Sequence, residues 1–300
     1  MLFLKVLVVI LVILIVLYFF AIQPRIIKKP SRKEHIGVLY AHRGLFDNNS
    51  DAPENSMLAF QKAVNAGYGI ELDIQLSKDG IPVIFHDFTL ARVARYPKGE
   101  EPEDAVRNED GSLGVKGKVE DYTFEELQRF HLFNSEEKIP TFESFLKMVD
   151  GKVPLIVELK IEKFDLSLCP KADALLREYK GVYCIESFNP LGIRWYKQNH
   201  NEIMRGQLSD WFFRDDPNLY RGLLYFMLTN LFFNFYTRPD FVAYNHKFFM
   251  NPSRCICHVF YRNLAAAWTI KSQEELEKAR KHFDIYIFDS FIPKDGPVVQ

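Results

Sequence analysis

Four short segments between Tyr40 and Asp87 decide how this chain folds: Y-A-H-R-G-L-F (Tyr40–Phe46), A-P-E-N-S (Ala52–Ser56), G-I-E-L-D-I-Q-L (Gly69–Leu76) and I-P-V-I-F-H-D (Ile81–Asp87). In them, apolar runs of strand length end in histidines, an arginine and carboxylates. Such runs are typical of buried strands, and a buried charge is costly unless a partner compensates it. The stretch therefore predicts a buried polar site, and we expect this site to carry the chemistry of the protein.

Apolar runs of strand length continue along the chain and alternate with helical patterns. One predicted helix is capped by Asn55 or Ser56 and ends at Gly67, and another begins at a capping box formed by Ser272 and Glu275. Helical crossovers connect parallel strands, so the pattern predicts an α/β fold of the TIM type, a (β/α)8 barrel. The eight predicted strands are Val38–His42, Gly69–Gln75, Pro154–Lys160, Val182–Ser187, Met204–Leu208, Asp240–Ala243, Ala265–Thr269 and Asp284–Asp289.

Two segments depart from this alternation. Only residues 78–81 separate the second strand from Pro82–His86, which is too short for a parallel crossover and favours an antiparallel hairpin. The alternative is a ninth run that displaces one of the weaker strands. Residues 88–140 are polar, contain several glycines and carry a capping box at Thr123–Glu126. They predict a small insertion after the hairpin, within the barrel and not as a separate domain.

Carboxylates gather at the ends of two predicted strands. Side chains two residues apart share one face of a strand, so Glu71, Asp73 and Gln75 should point into the barrel, as should Glu158 and Lys160. Three carboxylates at one place repel each other unless cations neutralise them, and Lys160 alone cannot neutralise all three. Oxygen ligands favour a hard divalent cation, Mg²⁺ or Ca²⁺, with Mn²⁺ as a third candidate.

Histidines and basic side chains are predicted beside these carboxylates. A lone histidine is more often structural than catalytic, but His42 and His86 both end strands next to the acidic cluster. Histidine suits proton transfer near neutral pH, one residue acting as base and the other as acid. Arg43 offers a planar fork for a phosphate, and Lys160 offers a point charge. An acid, a base, a hard cation and a guanidinium together indicate phosphoester chemistry.

Five spaced polar motifs carry a resemblance to a known family. Residues 36–292 resemble the glycerophosphodiester phosphodiesterase family, as a membrane-anchored bacterial-type member. The resemblance implies a barrel that hydrolyses a glycerophosphodiester, or a lysophospholipid, to a phosphomonoester such as glycerol 3-phosphate and an alcohol. The motifs are His42-Arg43-Gly44, Glu54-Asn55, Glu71-Leu72-Asp73, His86-Asp87 and Glu158-Leu159-Lys160.

The resemblance also implies a role for each matching residue. Glu71, Asp73 and Glu158 would hold the divalent cation, while His42 and His86 would act as general base and acid. Arg43, Lys160 and Trp268 would contact the substrate, although Trp268 is equally typical of a barrel core. Glu54 and Asn55 would support the site or simply cap a helix. Two other functions stay open: a related phospholipase D that releases a cyclic phosphate by intramolecular transfer, and a non-catalytic membrane scaffold.

The N-terminus predicts a membrane anchor. Residues 2–22 are almost uninterruptedly apolar and reach the length of about 20 residues that a spanning helix needs. Phe19, Phe20, Ile22, Gln23 and Pro24 offer no small-x-small cleavage site, so we expect an uncleaved single-pass helix in place of a signal peptide. A basic linker, residues 23–35, follows it and places the catalytic barrel, residues 36–300, in the cytoplasm.

A second apolar segment, residues 211–239, includes the run Leu223–Tyr236. This run is too short and too polar to span a bilayer, and it follows a strand's carboxyl end on the predicted active-site rim. It is either a membrane-contacting segment that gives access to lipid substrates or a buried helix or dimer contact. The net charge of −1 gives no argument for a nucleic-acid partner, and the four cysteines lack a metal-binding spacing and indicate free thiols.

Overall fold

The computed structural model describes residues 1–214 and 222–297 and shows a closed barrel of eight parallel strands. Each strand pairs with the next along the chain, and the barrel closes where Tyr40 pairs with both Gly69 and Ile287. The predicted TIM-type fold is therefore confirmed, with every strand within two residues of its predicted bounds. The strands are β1 (Leu39–His42), β2 (Gly69–Leu76), β3 (Leu155–Leu159), β4 (Tyr183–Ser187), β5 (Arg205–Ser209), β6 (Phe241–Asn245), β7 (Leu264–Ile270) and β8 (Ile285–Phe288).

Helices surround the barrel and follow most of its strands. The second helix shows why they form where they do: the Ser56 hydroxyl accepts a hydrogen bond from the Ala59 backbone amide, and Gly67 ends the helix with a positive φ of 78°. The helices are α1 (Leu2–Ala21), α2 (Met57–Ala66), α3 (Phe124–Leu127), α4 (Phe142–Val149), α5 (Leu168–Glu178), α6 (Pro190–Asn199), α7 (Gly222–Thr229), α8 (Asn234–Thr237), α9 (Pro252–Val259) and α10 (Gln273–Ala279).

The hairpin and the insertion form a small layer beside β2. Pro82–Ile84 returns antiparallel to β2, with Ile74 opposite Ile84, as the short connection predicts. The insertion that follows has an apolar core of its own, which includes Val93, Leu127 and Phe130. This core covers the hairpin, so the insertion packs against the side of the barrel. Its short strands are Ala94–Arg95, Val106–Arg107, Leu113–Gly114 and His131–Leu132.

Two apolar layers support the polar end of the barrel. Tyr40, Ile156 and Phe241 belong to the cluster that fills the barrel interior, while a larger cluster lies between the strands and the surrounding helices. The interior is thus a packed core and not a channel. Polar side chains at the carboxyl ends of the strands lie above this core.

The last turn of α1 packs against the barrel. Residues 1–17 are exposed, but the Tyr18 hydroxyl lies 2.9 Å from the Ser253 hydroxyl, and Ile22 is fully buried. Residues 23–35 follow the barrel surface as well. The Arg25 side chain is buried, donates to the Asn201 carbonyl over 2.7 Å and pairs with Asp240 at 3.5 Å. With 20 residues, α1 is also the one helix in the described part of the chain that is long and apolar enough to cross a membrane.

Candidate active site

Three carboxylates lie together at the carboxyl ends of β2 and β3. Asp73 and Glu158 are paired neighbours in the parallel ladder, and Glu71 precedes Asp73 on the same face of β2. One oxygen from each of the three carboxylates lies within 4.8 Å of the others. All three side chains are buried. The strand alternation expected from the sequence thus brings these residues to one place.

A fourth buried carboxylate, Glu186, lies on the adjacent strand β4 and pairs in register with Glu158. Burial raises the pKa of Glu186 well above its usual range, and Glu158 and Asp73 add to the rise. Burial and the surrounding carboxylates likewise raise the pKa values of Glu71 and Glu158. The barrel end therefore holds four buried carboxyl groups, one more than the sequence prediction placed there.

Two cationic side chains, Lys160 and Arg43, offset only part of the negative charge that these carboxylates carry when ionised. Lys160 Nζ lies 3.0 Å from Glu158 and 3.6 Å from Asp73, and Arg43 Nε lies 3.5 Å from Asp73. Burial alone would raise the pKa of Asp73, but His86, Lys160 and Arg43 hold it well below its usual range. No such cation lies within ion-pair distance of Glu71 or Glu186 among the described residues, apart from the titratable His42 at 3.9 Å from Glu71.

The carboxylate cluster fits a divalent metal ion. Its donors are all oxygens, which is what Mg²⁺, Ca²⁺ and Mn²⁺ prefer. The Asp73 Oδ1 atom is buried and has no hydrogen-bond donor among the described residues, so it has a lone pair available for an ion. A bound cation would also relieve the repulsion that keeps the pKa values of Glu71 and Glu158 high.

His42 is oriented by a carboxylate that the sequence analysis gave no role. Its Nδ1 atom lies 2.9 Å from Asp289 Oδ2, at the end of β8. An ionised carboxylate can only accept, so Nδ1 carries the proton and Nε2 keeps a lone pair that faces the cluster, 3.9 Å from Glu71. Burial and the neighbouring Arg43 lower the pKa of His42, against the opposing effect of Asp289. The lowered pKa favours the neutral ring, in which Nε2 can accept a proton.

His86 is oriented in the same way from the hairpin side. Its Nδ1 atom lies 2.6 Å from Asp87 Oδ1. Arg92, which the sequence analysis did not single out, donates to Asp87 over 2.6 Å and to Glu54 over 2.6 and 2.9 Å. Despite burial, the hydrogen bonds and charges of Arg92 and Arg43 lower the pKa of Glu54 to about 2. Glu54 therefore stays ionised and links the two arginines, since it also accepts from Arg43 over 2.7 Å.

The backbone after β1 takes an unusual path that Gly44 permits. Arg43 and Gly44 both have positive φ angles, 58° and 86°. A Cβ atom on Gly44 would lie 2.8 Å from the Ala59 carbonyl carbon, so α2 approaches this turn too closely for any side chain. Non-glycine residues with positive φ are uncommon and concentrate at functional sites. The turn directs Arg43 back towards Asp73 and Glu54.

Asn55 belongs to the site, and its neighbour Ser56 is the helix cap. Asn55 has a φ of 58°, and its side-chain amide donates to Asp73 Oδ2 over 3.1 Å. The Ser56 hydroxyl caps α2. The sequence left open which of these two residues caps the helix. In the structure Ser56 caps it and Asn55 contacts Asp73.

Trp268 lies half-buried at the carboxyl end of β7, near the cationic side chains that pair with the acidic cluster. Its ring packs edge-on against Phe188 at a centroid distance of 5.6 Å, and Lys160 Nζ lies 6.0 Å from the Phe188 ring centre. The Trp268 indole nitrogen has no hydrogen-bond partner among the described residues. The Trp268 and Phe188 rings thus form an aromatic pair close to the Lys160 ammonium group.

Comparison with known proteins finds similar sequences that share one family description. A family model described as the glycerophosphoryl diester phosphodiesterase family matches residues 42–209. A glycerophosphodiester phosphodiesterase of Bacillus altitudinis is 34% identical over 131 residues, which cover 41% of this chain and 44% of that protein. One of Caldanaerobacter subterraneus is 31% identical over 184 residues, or 57% of this chain and 66% of that protein. The chain thus spans less than two thirds of the length of these curated relatives.

Solved structures share the fold. A phosphodiesterase of Oleispira antarctica in complex with the product sn-glycerol-3-phosphate superposes with a TM-score of 0.62 at 20% identity, covering 85% of this chain and 93% of that chain. A glycerophosphodiester phosphodiesterase of Thermotoga maritima gives a TM-score of 0.58 at 23% identity, covering 86% and 96%. The similarity extends over nearly the whole barrel.

Proposed function

The chain belongs to the glycerophosphoryl diester phosphodiesterase family, and on that premise we propose that it hydrolyses glycerophosphodiesters to a phosphomonoester and an alcohol. The observation that carries this proposal is the convergence of two carboxylate-oriented histidines on one cluster of buried carboxylates. A scaffold without activity would have no use for buried like charges, which cost stability. The site therefore supports an enzyme over a scaffold.

Each polar side chain has a role in this proposal. His42, with its free Nε2 atom, removes the proton from the attacking oxygen, and Asp289 stabilises the imidazolium that forms. His86, held by Asp87, donates a proton to the leaving alcohol. Arg43 and Lys160 bind the phosphate oxygens and offset the charge that develops in the transition state. Glu54 and Asn55 fix the positions of Arg43 and Asp73.

Glu71, Asp73 and Glu158 would hold one divalent cation in this enzyme. When bound, a cation of this kind withdraws charge from a phosphate oxygen and so eases attack at phosphorus. Trp268 and Phe188 contact the apolar part of the substrate and keep bulk water away from it.

The decisive test is turnover of glycerophosphocholine by the full chain in lipid nanodiscs, with Mg²⁺, Ca²⁺, Mn²⁺ or EDTA. We expect metal-dependent release of choline and glycerol 3-phosphate. Phosphorus NMR measures the reaction through the glycerol 3-phosphate that forms. Absence of turnover on glycerophosphocholine, glycerophosphoethanolamine and glycerophosphoinositol, with the folded protein shown to bind metal, would contradict the proposal. A persistent cyclic phosphate in the spectra would instead identify intramolecular transfer.

We also propose that α1 anchors the barrel in the cell membrane by a single pass. The docking of its last turn supports an uncleaved helix, because the Ile22 carbonyl accepts from Asn234 over 3.1 Å and the Tyr261 hydroxyl donates to the Phe19 carbonyl over 3.0 Å. Removal of α1 would strip these contacts from the barrel. The basic residues that follow α1, which are Arg25, Lys28, Lys29, Arg32 and Lys33, favour a cytoplasmic barrel.

Labelling in intact cells tests this orientation. A cysteine introduced at the exposed Lys98 (Lys98→Cys) should react with a membrane-impermeant maleimide only after lysis, and the unsubstituted protein, whose Cys255 is half-buried, serves as the control. Labelling of Lys98→Cys in intact cells would place the barrel outside the cytoplasm and contradict the proposed orientation.

A further inference from the structure

The contacts between α1 and α9 fix the direction in which α1 leaves the barrel. The Tyr18 hydroxyl lies 2.9 Å from the Ser253 hydroxyl. One turn later in both helices, the Cys257 thiol donates to the Ile22 carbonyl over 3.2 Å. The residues of each pair are 235 positions apart in the chain. A constant separation means that α1 and α9 run in the same direction, since in antiparallel helices it would change from pair to pair.

The direction of α9 shows which end of the barrel α1 approaches. This helix connects two parallel strands, so it begins at the carboxyl end of β6 with Pro252 and ends with Val259, before the start of β7. Followed from residue 22 back to residue 18, α1 therefore climbs towards the carboxyl ends of the strands. Residues 2–17 are exposed and continue beyond that end. The free part of α1 thus projects from the face that carries the candidate active site.

The free part of α1 is too short to cross a membrane without its docked turn. Residues 2–17 rise by about 24 Å as an α-helix, whereas the hydrocarbon core of a bilayer is about 30 Å thick. The last turn of α1, which begins at Tyr18, must supply the difference. Because this turn is held against α9, the loops around it have to reach the bilayer surface together with it.

The part of the rim next to α1 has the side chains that such a position requires. Leu223 and Phe226 of α7 are 73% and 47% exposed, and Met250, just before α9, is 75% exposed. These three residues form the α7 rim. The Phe232 ring connects the rim to α1, since it contacts the rings of Tyr18 and Phe226 at centroid distances of 5.7 and 5.5 Å. Clustered apolar side chains at a surface indicate a contact region, and tyrosine is enriched at membrane interfaces.

The α7 rim borders one side of the candidate active site. Tyr225 of α7 stacks on Phe212 at a centroid distance of 5.9 Å, and Phe212 packs edge-on against Phe188 at 6.0 Å. The other side of the site, next to β2 and β3, has a cavity of about 330 Å³ that is lined by charged side chains, which include Lys78 and Glu120. Charges of both signs are costly to take out of water. The rim is therefore apolar only on the side where α1 rises.

From the direction and length of α1 we infer that the α7 rim lies in the interfacial layer of the membrane that holds α1. The candidate active site then opens at the bilayer surface, with its charged side towards water. Exposed apolar side chains such as Val259 and Phe260 also occur at the opposite end of the barrel, so exposure alone does not choose the face; α1 does. The inference rests on the proposed anchor, and it names a surface and its partner, a lipid bilayer, independently of the substrate.

Two positions at opposite ends of α9 provide a matched pair of labels. Met250 precedes the helix and Val259 ends it, and each is 75% exposed. Met250→Cys and Val259→Cys are made in a chain that also carries Cys255→Ser, because the other three cysteines are buried. Each protein is labelled with bimane and studied as the full chain in phosphatidylcholine nanodiscs, with lipids that are either unmodified or brominated near the headgroup end of their acyl chains. A bimane label at Val9→Cys reports on α1 itself.

Bromine quenches bimane on contact, so the loss of emission measures exposure to lipid. The label at Met250→Cys should lose most of its emission in brominated nanodiscs, and its emission maximum in unmodified nanodiscs should lie at a shorter wavelength than that of the label at Val259→Cys. The label at Val259→Cys should lose none. Equal thermal unfolding midpoints of the two labelled proteins would show that neither result reflects misfolding.

Other outcomes would overturn the inference. Quenching at Val259→Cys alone would place the opposite end of the barrel on the membrane, and quenching at both positions would lay the barrel on its side. Quenching at neither position, with the Val9→Cys label quenched, would mean that the barrel stands clear of the bilayer. An unquenched Val9→Cys label would refute the anchor and the inference together. Turnover of glycerophosphocholine in the same nanodiscs tests the proposed hydrolysis separately from all of these results.

Discussion

Replacing His42 with alanine is expected to lower kcat for glycerophosphocholine by about 10²–10⁴-fold, the range of general acid–base catalysis. The expectation rests on geometry: Asp289 holds the Nδ1 side of the ring at 2.9 Å and leaves Nε2 free towards the carboxylate cluster. Steady-state kinetics of the full chain measure the effect. KM should change much less than kcat, since His42 moves a proton and does not contribute to the affinity for the substrate.

His258 provides the matched control for this substitution. Like His42 it lies beside a carboxylate, Asp284, at a distance of 3.5 Å. Asp284 and Asp289, however, flank opposite ends of β8, so His258 lies far from the cluster. His258→Ala should keep the wild-type kcat. A similar loss in both variants, or a His42→Ala protein with the wild-type rate, would contradict the role of His42 as the base.

The pH profile gives a second readout of the same residue. Burial and Arg43 lower the pKa of His42 below the ordinary histidine value of 6.5. A base acts in its neutral form, and a lowered pKa keeps the neutral form populated to lower pH. The acidic limb of log kcat/KM should therefore lie below pH 6.5. An acidic limb above that pH, in a profile measured at saturating metal, would assign the titration to another group.

The barrel itself can be predicted from the sequence because the patterns that indicate it are local. Strands such as β2 and β3 are apolar runs whose polar members alternate, and the alternation brings Glu71, Asp73 and Glu158 to one face. The four-residue connection to Pro82 leaves room only for a hairpin. These features depend on neighbours along the chain, which a sequence displays directly.

Features that depend on distant contacts were not predicted. Arg92 lies 38 residues from Glu54 in the chain, within a polar insertion, and nothing around it distinguishes it from a surface arginine. Asn55 and Ser56 have similar capping propensities, and only the approach of Asp73 separates their roles. Glu186 follows the same strand alternation as Glu158. The alternation that places Glu186 in the barrel is present in the sequence. It was overlooked because β4 carries no second carboxylate.

The N-terminal segment shows the same limit. A run of basic residues between an apolar helix and a domain is typical of a solvated linker, yet Arg25 is buried with Asp240, 215 residues away. Asp240 is already engaged with a second buried arginine, Arg205, at 3.7 Å. The docking of Arg25 thus depends on Asp240 and Arg205, which lie at the start of β6 and of β5. Their charges leave no pattern in the sequence around Arg25.

Replacing Glu71 with glutamine is expected to weaken divalent-cation binding by at least about 100-fold, since even changes in partners of metal ligands cost about 10–100-fold. Calorimetric titration of the full chain with Mg²⁺, Ca²⁺ and Mn²⁺ after EDTA treatment measures this loss independently of activity. Glu162→Gln is the matched control, because Glu162 is an exposed carboxylate in the segment after β3 and lies outside the cluster.

Thermal unfolding distinguishes a metal ligand from a partner in a structural ion pair. Burial and the neighbouring carboxylates raise the pKa of Glu71, so its ionised form destabilises the metal-free fold at neutral pH. Metal-free Glu71→Gln should therefore unfold at the same temperature as the unsubstituted protein or higher. A cation at about 100 times its Kd should stabilise the unsubstituted protein by about 2.7 kcal/mol and should stabilise Glu71→Gln by at most about 0.4 kcal/mol at the same concentration. A lower midpoint for the metal-free variant, with metal stabilisation retained, would show that Glu71 holds the barrel together and does not ligate a cation.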